Sequence, residues 1–250
     1  MKHLRILPYK MFSSSAKFLA RALNGKRVKL NGRFRPRQRH FVINWGNHNL
    51  PQWWTTGLNH PEQVHRSSNK LNAFRIMQAA GISIPEFTTD QAIAQAWIRE
   101  GKVVVGRRIL NGSKGIGCVV WDSPTDTATA CPLYTKHLRH RREFRIHVFN
   151  GRIIDMVEKL KRRGFEGRNG WIRNHNNGYV FARGGLNIPT EVQQEATKAT
   201  RALDLDFGAV DVAYREKENK AYVFEVNTAP GMEGTTIQRY ANAIRQELQK

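Results

Sequence analysis

A chain of 250 residues, 40 % hydrophobic and 10 % aromatic, can bury a core, which excludes a disordered polymer. Its 41 lysines and arginines against 20 acids leave a net charge of +21, so the expected partners are anionic: nucleotides, nucleic acid, an acidic small molecule or an acidic peptide. No apolar run approaches the roughly 18 residues of a membrane span, and two cysteines, Cys118 and Cys131, exclude a disulfide framework or a cysteine zinc site and point to a reducing, cytoplasmic compartment.

The first expected subdomain, 1–64, is the most basic. Twelve lysines and arginines precede Glu62, the first acid. This Arg- and Ser-rich start has the look of a targeting peptide, yet it lacks the apolar stretch of a secretion signal. Ser13–Leu23 reads better as a helix: serines cap it, Phe18, Leu19, Ala22 and Leu23 form a stripe, and Asn24 and Gly25 stop it. Arg33–His40 is a basic loop and Phe41–Trp45 the next strand of a small α/β unit. Asn44, Trp45 and Gly46 end that strand in a turn, with or without a ligand contact. Pro51–Pro61 is a connector whose Trp53 and Trp54 either pack on a neighbour or stack on a ring.

Residues 65–132 open with a helix over Ser67–Gly81, capped by Ser68 or Asn69, with Leu71, Phe74 and Met77 at spacing three. Ile82–Phe87 follows as an edge strand, because Pro85 cannot donate to a ladder. Ala92–Arg99 is a second helix. Lys102–Gly117 then reads as a strand, a glycine-rich loop and the start of a strand that holds Cys118 as a small hydrophobe. Several backbone N–H groups must approach a phosphate at once, and glycine permits it. Gly112, Ser113, Lys114 and Gly115 are therefore a candidate phosphate lid, although such turns also occur in ordinary hairpins. The loop lacks the Gly-Lys-Ser/Thr order of a P-loop.

Residues 133–250 form the third expected unit. Pro132–Lys136 is a short strand. Glu143–Phe149 alternates polar and apolar residues, so Glu143, Arg145 and His147 share one face. Asn150 and Gly151 form a tight turn, and Ile153–Leu160 returns. Arg145 is a candidate for a phosphate or a substrate carboxylate, and His147 a structural or surface residue. Lys161–Arg168, basic and glycine-rich, is a loop suited to a substrate or polyanion. Trp171–Asn174 and Gly178–Arg183 suggest another hairpin. Helices follow at Thr190–Leu203, capped by Thr190, and Thr235–Leu248.

The most specific stretch lies between those helices. Val210–Tyr214 and Ala221–Val226 are strands around the polar turn Arg215–Lys220. A hairpin symmetric about Glu218 sets Asp211 opposite Glu225, with Asn227 on the same face. Facing carboxylates repel, and a divalent cation between them removes that cost. Carboxylate and amide oxygens suit Mg²⁺, which takes its other ligands from water and phosphate.

Glu225, Val226, Asn227 and the following Thr-Ala-Pro-Gly-Met run resemble the metal strand and turn of ATP-grasp carboxylate–amine ligases, among them D-alanine–D-alanine ligase and ribosomal-protein glutamate ligase-like proteins. The likeness runs in order from about Ser67 to Thr236. It implies an α/β ATP-grasp fold: two α+β halves with antiparallel sheets that close on ATP, preceded by a small α/β subdomain. It implies ATP and Mg²⁺ as cofactors, the metal held by Asp211, Glu225 and Asn227. Lys70 would reach an ATP phosphate, and the strand ending at Lys136 would meet adenine. Glu143 would bind ribose hydroxyls and Lys159 phosphate. Arg173, with Asn174, would bind an acyl phosphate, and the Gly231 N–H would stabilise an oxyanion. The chain departs from the pattern at Gly106-Arg107-Arg108, where the family has a lysine. Arg107 takes that place, with Lys114 able to share the task. The implied activity is ADP-forming amide ligation through an acyl phosphate, joining a small-molecule or peptide carboxylate to an amine, with a polyanionic substrate in view of the charge. The alternative is a degenerate nucleotide-binding protein whose basic surface holds nucleic acid.

Overall fold

The computed structural model describes residues 2–49, 53–54, 56–112, 115–165, 173, 177–232 and 234–250. Among these residues three sheets form. The first is parallel, in the order β2-β1-β3-β4, from β1 (His3–Pro8), β2 (Lys26–Arg27), β3 (His40–Trp45) and β4 (Gly57–Leu58). Helix α1 (Ser14–Ala22) packs on it through Ala16, Leu19 and Ala20, and the Ser13 hydroxyl accepts from the Ala16 N–H at its start. Trp53 and Trp54 pack beside the Leu7, Val28 and Val42 core, which favours the packing reading of that pair.

One helix was not expected. After the connector, α2 (Pro61–Ser68) buries only Pro61, Val64 and Ser67, so it shows no apolar period. Its cap is His60, whose ring accepts from the Glu62 N–H while Gln63 accepts from the His60 N–H. Asn69 then caps α3 (Lys70–Ala79) by accepting from the Asn72 N–H, so the predicted Ser67–Gly81 helix is two helices meeting at Asn69.

The second sheet is antiparallel, in the order β5-β8-β6-β7, from β5 (Phe87–Thr88), β6 (Val104–Arg107), β7 (Cys118–Trp121) and β8 (Leu133–Lys136). The edge strand expected over Ile82–Phe87 is therefore confined to two residues. Helix α4 (Gln91–Arg99), capped by Asp90, lays Trp97 and Ile98 on Trp121 and Tyr134.

The third sheet, also antiparallel, runs β11-β10-β9-β12-β13. It comprises β9 (Arg142–Phe149), β10 (Arg152–Lys161), β11 (Tyr179–Ala182), β12 (Phe207–Arg215) and β13 (Lys220–Asn227). Asn150 and Gly151, with φ of +45° and +72°, make the β9–β10 turn. Period-two alternation turns Phe144, Ile146, Val148, Val210 and Val212 toward a core shared with α3 and with α5 (Thr190–Ala202). Pro189, not Thr190, occupies the N-cap of α5. β11 pairs with β10, and the expected Trp171–Asn174 partner lies outside the described residues except for Arg173.

Helix α6 (Thr236–Leu248) packs against α1, and Tyr240, Ala241 and Ile244 join a core with Ile6, Ile43 and Phe207. Trp45 is fully buried there between Phe207 and Tyr240, and its indole N–H donates to the Ser15 hydroxyl at 3.0 Å. The N-terminal sheet is thereby locked to the third sheet. Among the described residues no helix is long and apolar enough to cross a membrane.

Candidate active site

The polar face of the third sheet gathers six of the predicted site residues, Glu143, Arg145, Lys159, Asp211, Glu225 and Asn227. Asp211 pairs with Glu225, as expected, but by a different route. Arg215 pairs with Lys220, so the turn is centred between Lys217 and Glu218 rather than on Glu218. In that register Asp211 would face Phe224. A bulge between Asp211 and Val212 adds one residue on β13 and brings Glu225 opposite instead. The same bulge lets Val223 and Val226 both face the core, leaving Glu225 and Asn227 on the outer face.

Next to this pair, β9 and β10 supply cations. The Arg145 guanidinium makes two parallel hydrogen bonds to Asp211, 2.7 and 2.9 Å long. The Lys159 ammonium is buried between Glu143 (2.5 Å) and Asp211 (2.9 Å). Burial disfavours each of these charges, and their neighbours more than offset it. Arg145 and Lys159 hold Asp211 well below the usual carboxylate range. Lys159 and His140 hold Glu143 low, and Asp211 keeps Lys159 and Arg145 high.

Lys70 connects this face to the glycine-rich loop. Its ammonium donates to the Gly112 carbonyl at 3.1 Å and to Glu225 at 3.0 Å. One side chain thus spans the first half's loop and the second half's strand. Gly112 has no room for a side chain, since a Cβ there would lie 2.8 Å from the Ile116 carbonyl, and Gly115 has φ +80°. Ser113 and Lys114 lie outside the described residues. Arg107 donates to the Cys118 sulfur at 3.3 Å, and its buried Nε has no hydrogen-bond partner among the described residues. Arg173 donates to the carbonyls of Arg141 and His140 and stands 3.8 Å from Glu143. Gly231 is exposed, and nothing lies within 4 Å of where its Cβ would be. The Lys136 side chain points elsewhere: its ammonium binds Glu86 at 2.8 Å and lies over the Trp97 ring.

Two features escaped the sequence reading. His140 joins Glu143 through Nε2 at 3.0 Å. Asp155 is buried beside His147, accepts from the Thr236 hydroxyl and faces Arg183 and Arg239 at 3.8 and 3.5 Å. An acid inside the apolar return strand was the available signal for the second.

By donor chemistry the Asp211, Glu225 and Asn227 set fits Mg²⁺. It offers two facing carboxylates and an amide oxygen, and Asp211, whose two oxygens accept from Arg145 and Lys159, would have to exchange one of those bonds for the metal. Among the described residues no group of three His, Cys, Asp or Glu side chains could hold a metal, so an ion here would need amide, water or phosphate oxygens as well. Lys70, Arg145 and Lys159 pair with Glu143, Asp211 and Glu225, three cations against three carboxylates, so an added Mg²⁺ would leave positive charge that a polyphosphate could balance.

His147, buried with Nδ1 3.1 Å from the Tyr240 hydroxyl, has its pKa lowered by burial to about 4. The unfolded chain takes up a proton near pH 6.5 that the folded chain refuses until about 4. Stability is then complete above that window and falls as pH drops through it, by on the order of 2–3 kcal/mol. Urea unfolding at several pH values should show the loss, and His147→Gln should flatten it. An unchanged slope in that variant would refute the assignment.

A loop-and-sheet half closing on a second antiparallel sheet, with cations and facing carboxylates along the seam, defines an ATP-grasp fold. The chain belongs to the RimK-like ATP-grasp domain family, which matches residues 67–248. It is similar to a probable alpha-L-glutamate ligase of Haemophilus influenzae, 25 % identical over 193 residues that cover 70 % of this chain and 60 % of that protein. The chain spans about 60 % of the length of such curated relatives. Its fold resembles D-alanyl-alanine synthetase A from Vibrio cholerae, with a TM-score of 0.72, 16 % identity, and 98 % and 97 % of the two chains covered. It also resembles the ATP-grasp ligase PsnB, solved with a phosphomimetic variant of its minimal precursor, Mg and ADP. There the TM-score is 0.71 at 10 % identity, with 98 % of each chain covered.

Proposed function

We propose that the protein is an ATP-dependent ligase that joins a carboxylate to an amine in the cytoplasm, releasing ADP and phosphate. The observation that carries this reading is Lys70, bound at once to the Gly112 carbonyl and to Glu225. It brings the phosphate-lid loop, a cation and the metal strand to one point. Asp211, Glu225 and Asn227 would hold Mg²⁺, which supplies charge neutralisation at the phosphates.

The chain's own groups then have distinct tasks. Lys70, Arg145 and Lys159 neutralise the phosphates, with backbone N–H groups of residues 112–115 closing over them and Arg107 in the place of the family lysine. Glu143 accepts from the ribose hydroxyls, and the backbone of β8 near Lys136 meets the adenine. A substrate carboxylate oxygen attacks the γ-phosphorus, the bond to ADP breaks, and an acyl phosphate forms. The amine attacks the acyl carbon, phosphate leaves, and the nitrogen loses a proton. Arg173 neutralises the acyl phosphate, and the Gly231 N–H faces the oxyanion. The named substrates of the similar proteins favour an amino acid or peptide as the partner here.

Calorimetry with Mg-ATP tests the nucleotide site, and an ADP-release screen over amino acids and peptides tests the reaction. Glu225→Gln and Asp211→Asn should each lower Mg²⁺-dependent ADP release about a hundredfold or more. Wild-type turnover in both variants would sink the proposal.

A further inference from the structure

The acid-free start of the chain contributes no charged side chain to the ligase chemistry proposed above. Among the described residues, none of the twelve lysines and arginines before Glu62 is in an ion pair, although ion pairs are frequent from Lys70 onward. Like charges at this density repel, and the small α/β unit contains no carboxylate to relieve them. On the same unit, the loop between β1 and α1 leaves Phe12 83 % exposed and Met11 40 % exposed. Arg27 donates to the Ser13 carbonyl at 3.4 Å, which draws this loop against the segment that follows β2. Between them lies an open groove of about 280 Å³, lined by Met11, Arg27, Val28, Lys29, Leu30, Asn31 and Gly32, of which Val28 is largely buried. β2 is the edge of its sheet, so the groove borders an unpaired strand side.

We infer that this groove docks an acidic peptide segment that carries bulky apolar side chains. The apolar side chains seat against Phe12, Met11, Val28 and Leu30. The carboxylates meet Lys10, Arg27 and Lys29, none of which is in an ion pair among the described residues. A nucleic acid would answer the charge but has no aliphatic side chain for a groove lined by methionine, valine and leucine. A single exposed phenylalanine is ordinary. Phe12 beside Met11, an apolar groove and a cationic rim is an amphipathic surface matched by an amphipathic anion. The groove shares no residue with the Asp211–Glu225 row, so this inference goes beyond the ligase reading and stands or falls separately from it.

The test uses fluorescence anisotropy on the full chain without ATP. The probes are a labelled peptide of repeated Glu-Glu-Leu-Phe units, an all-glutamate peptide of equal length, and an oligo-dT strand. The Leu/Phe peptide should bind more tightly than the other two. Met11→Ser with Phe12→Ser should weaken it about tenfold (about 1.4 kcal/mol) while leaving the all-glutamate peptide unchanged. Lys10→Glu with Lys29→Glu should weaken both peptides. All four positions are solvent-exposed, and unchanged urea-unfolding midpoints would show that the variants fold. Equal binding of the two peptides, or no effect of the serine pair, would overturn the inference. Oligo-dT binding as tight as the Leu/Phe peptide, with a steep salt dependence, would overturn it in favour of nucleic acid.

Discussion

Lys159→Met is expected to lower stability by about 3–5 kcal/mol in urea unfolding. The side chain is buried, and its ammonium is the shared partner of Glu143 and Asp211. Methionine fills most of the volume, so the loss is electrostatic rather than a cavity. Asp211 keeps the paired guanidinium bonds of Arg145. Glu143 keeps only His140 at hydrogen-bond distance, with Arg173 at 3.8 Å, and burial then raises its carboxyl. The sign of the pH effect follows. A carboxyl whose folded pKa rises above its unfolded value binds more protons when folded, so its penalty shrinks as pH falls. The deficit of Lys159→Met relative to wild type should therefore narrow as pH falls from neutral toward the carboxylate range. The His147 loss in that range is common to both proteins and cancels in the difference. Adding Glu143→Gln should restore about 2–3 kcal/mol at neutral pH, because it removes the uncompensated charge. An equal deficit at all pH values and in both backgrounds would mean that Lys159 acts by packing alone.

The same network shows what a sequence can and cannot disclose. The alternation in Glu143–Phe149 put Glu143, Arg145 and His147 on one face, and Asn150-Gly151 located the turn, because both signals are local. The facing of Asp211 and Glu225 was also anticipated, but from a turn centre half a residue away, and only the bulge at Phe224 makes the pairing true. A bulge leaves no mark in composition or period. Helix α2 was invisible for a related reason: three buried residues make no stripe, and histidine is not among the usual caps. Which cation meets which carboxylate was beyond reach. Lys70 and Glu225 are 155 residues apart, and their meeting depends on how two sheets close. The lysine was legible as a helix-start lysine, not as the link between the glycine-rich loop and β13.

The N-terminal subdomain meets the turn of the proposed acyl site at Gly46, and Gly46→Ala is expected to cost about 2–4 kcal/mol. Gly46 has φ +77°, and a Cβ there would lie 2.5 Å from the Ala229 Cβ. The loop cannot retreat. Asn44 accepts from the Asn47 N–H and donates to its carbonyl, and the Asn47 amide donates to the Pro8 carbonyl at 2.9 Å. The strain must then move the Thr228–Met232 turn, whose Met232 shares a core with Trp45. Such a shift displaces Gly231, so ADP release should fall more than Mg-ATP binding, because the cations proposed for the phosphates lie on α3, β9 and β10. A double variant separates the two causes. Ala229→Gly removes the clash but not the φ penalty, so it should recover all but about 1 kcal/mol of the loss. Gly46→Asn, which tolerates positive φ but keeps a Cβ, should remain as unstable as the clash dictates. If Gly46→Ala unfolds at the wild-type urea concentration, the turn is set by β13 and α6 alone, and the N-terminal subdomain has no part in placing Gly231.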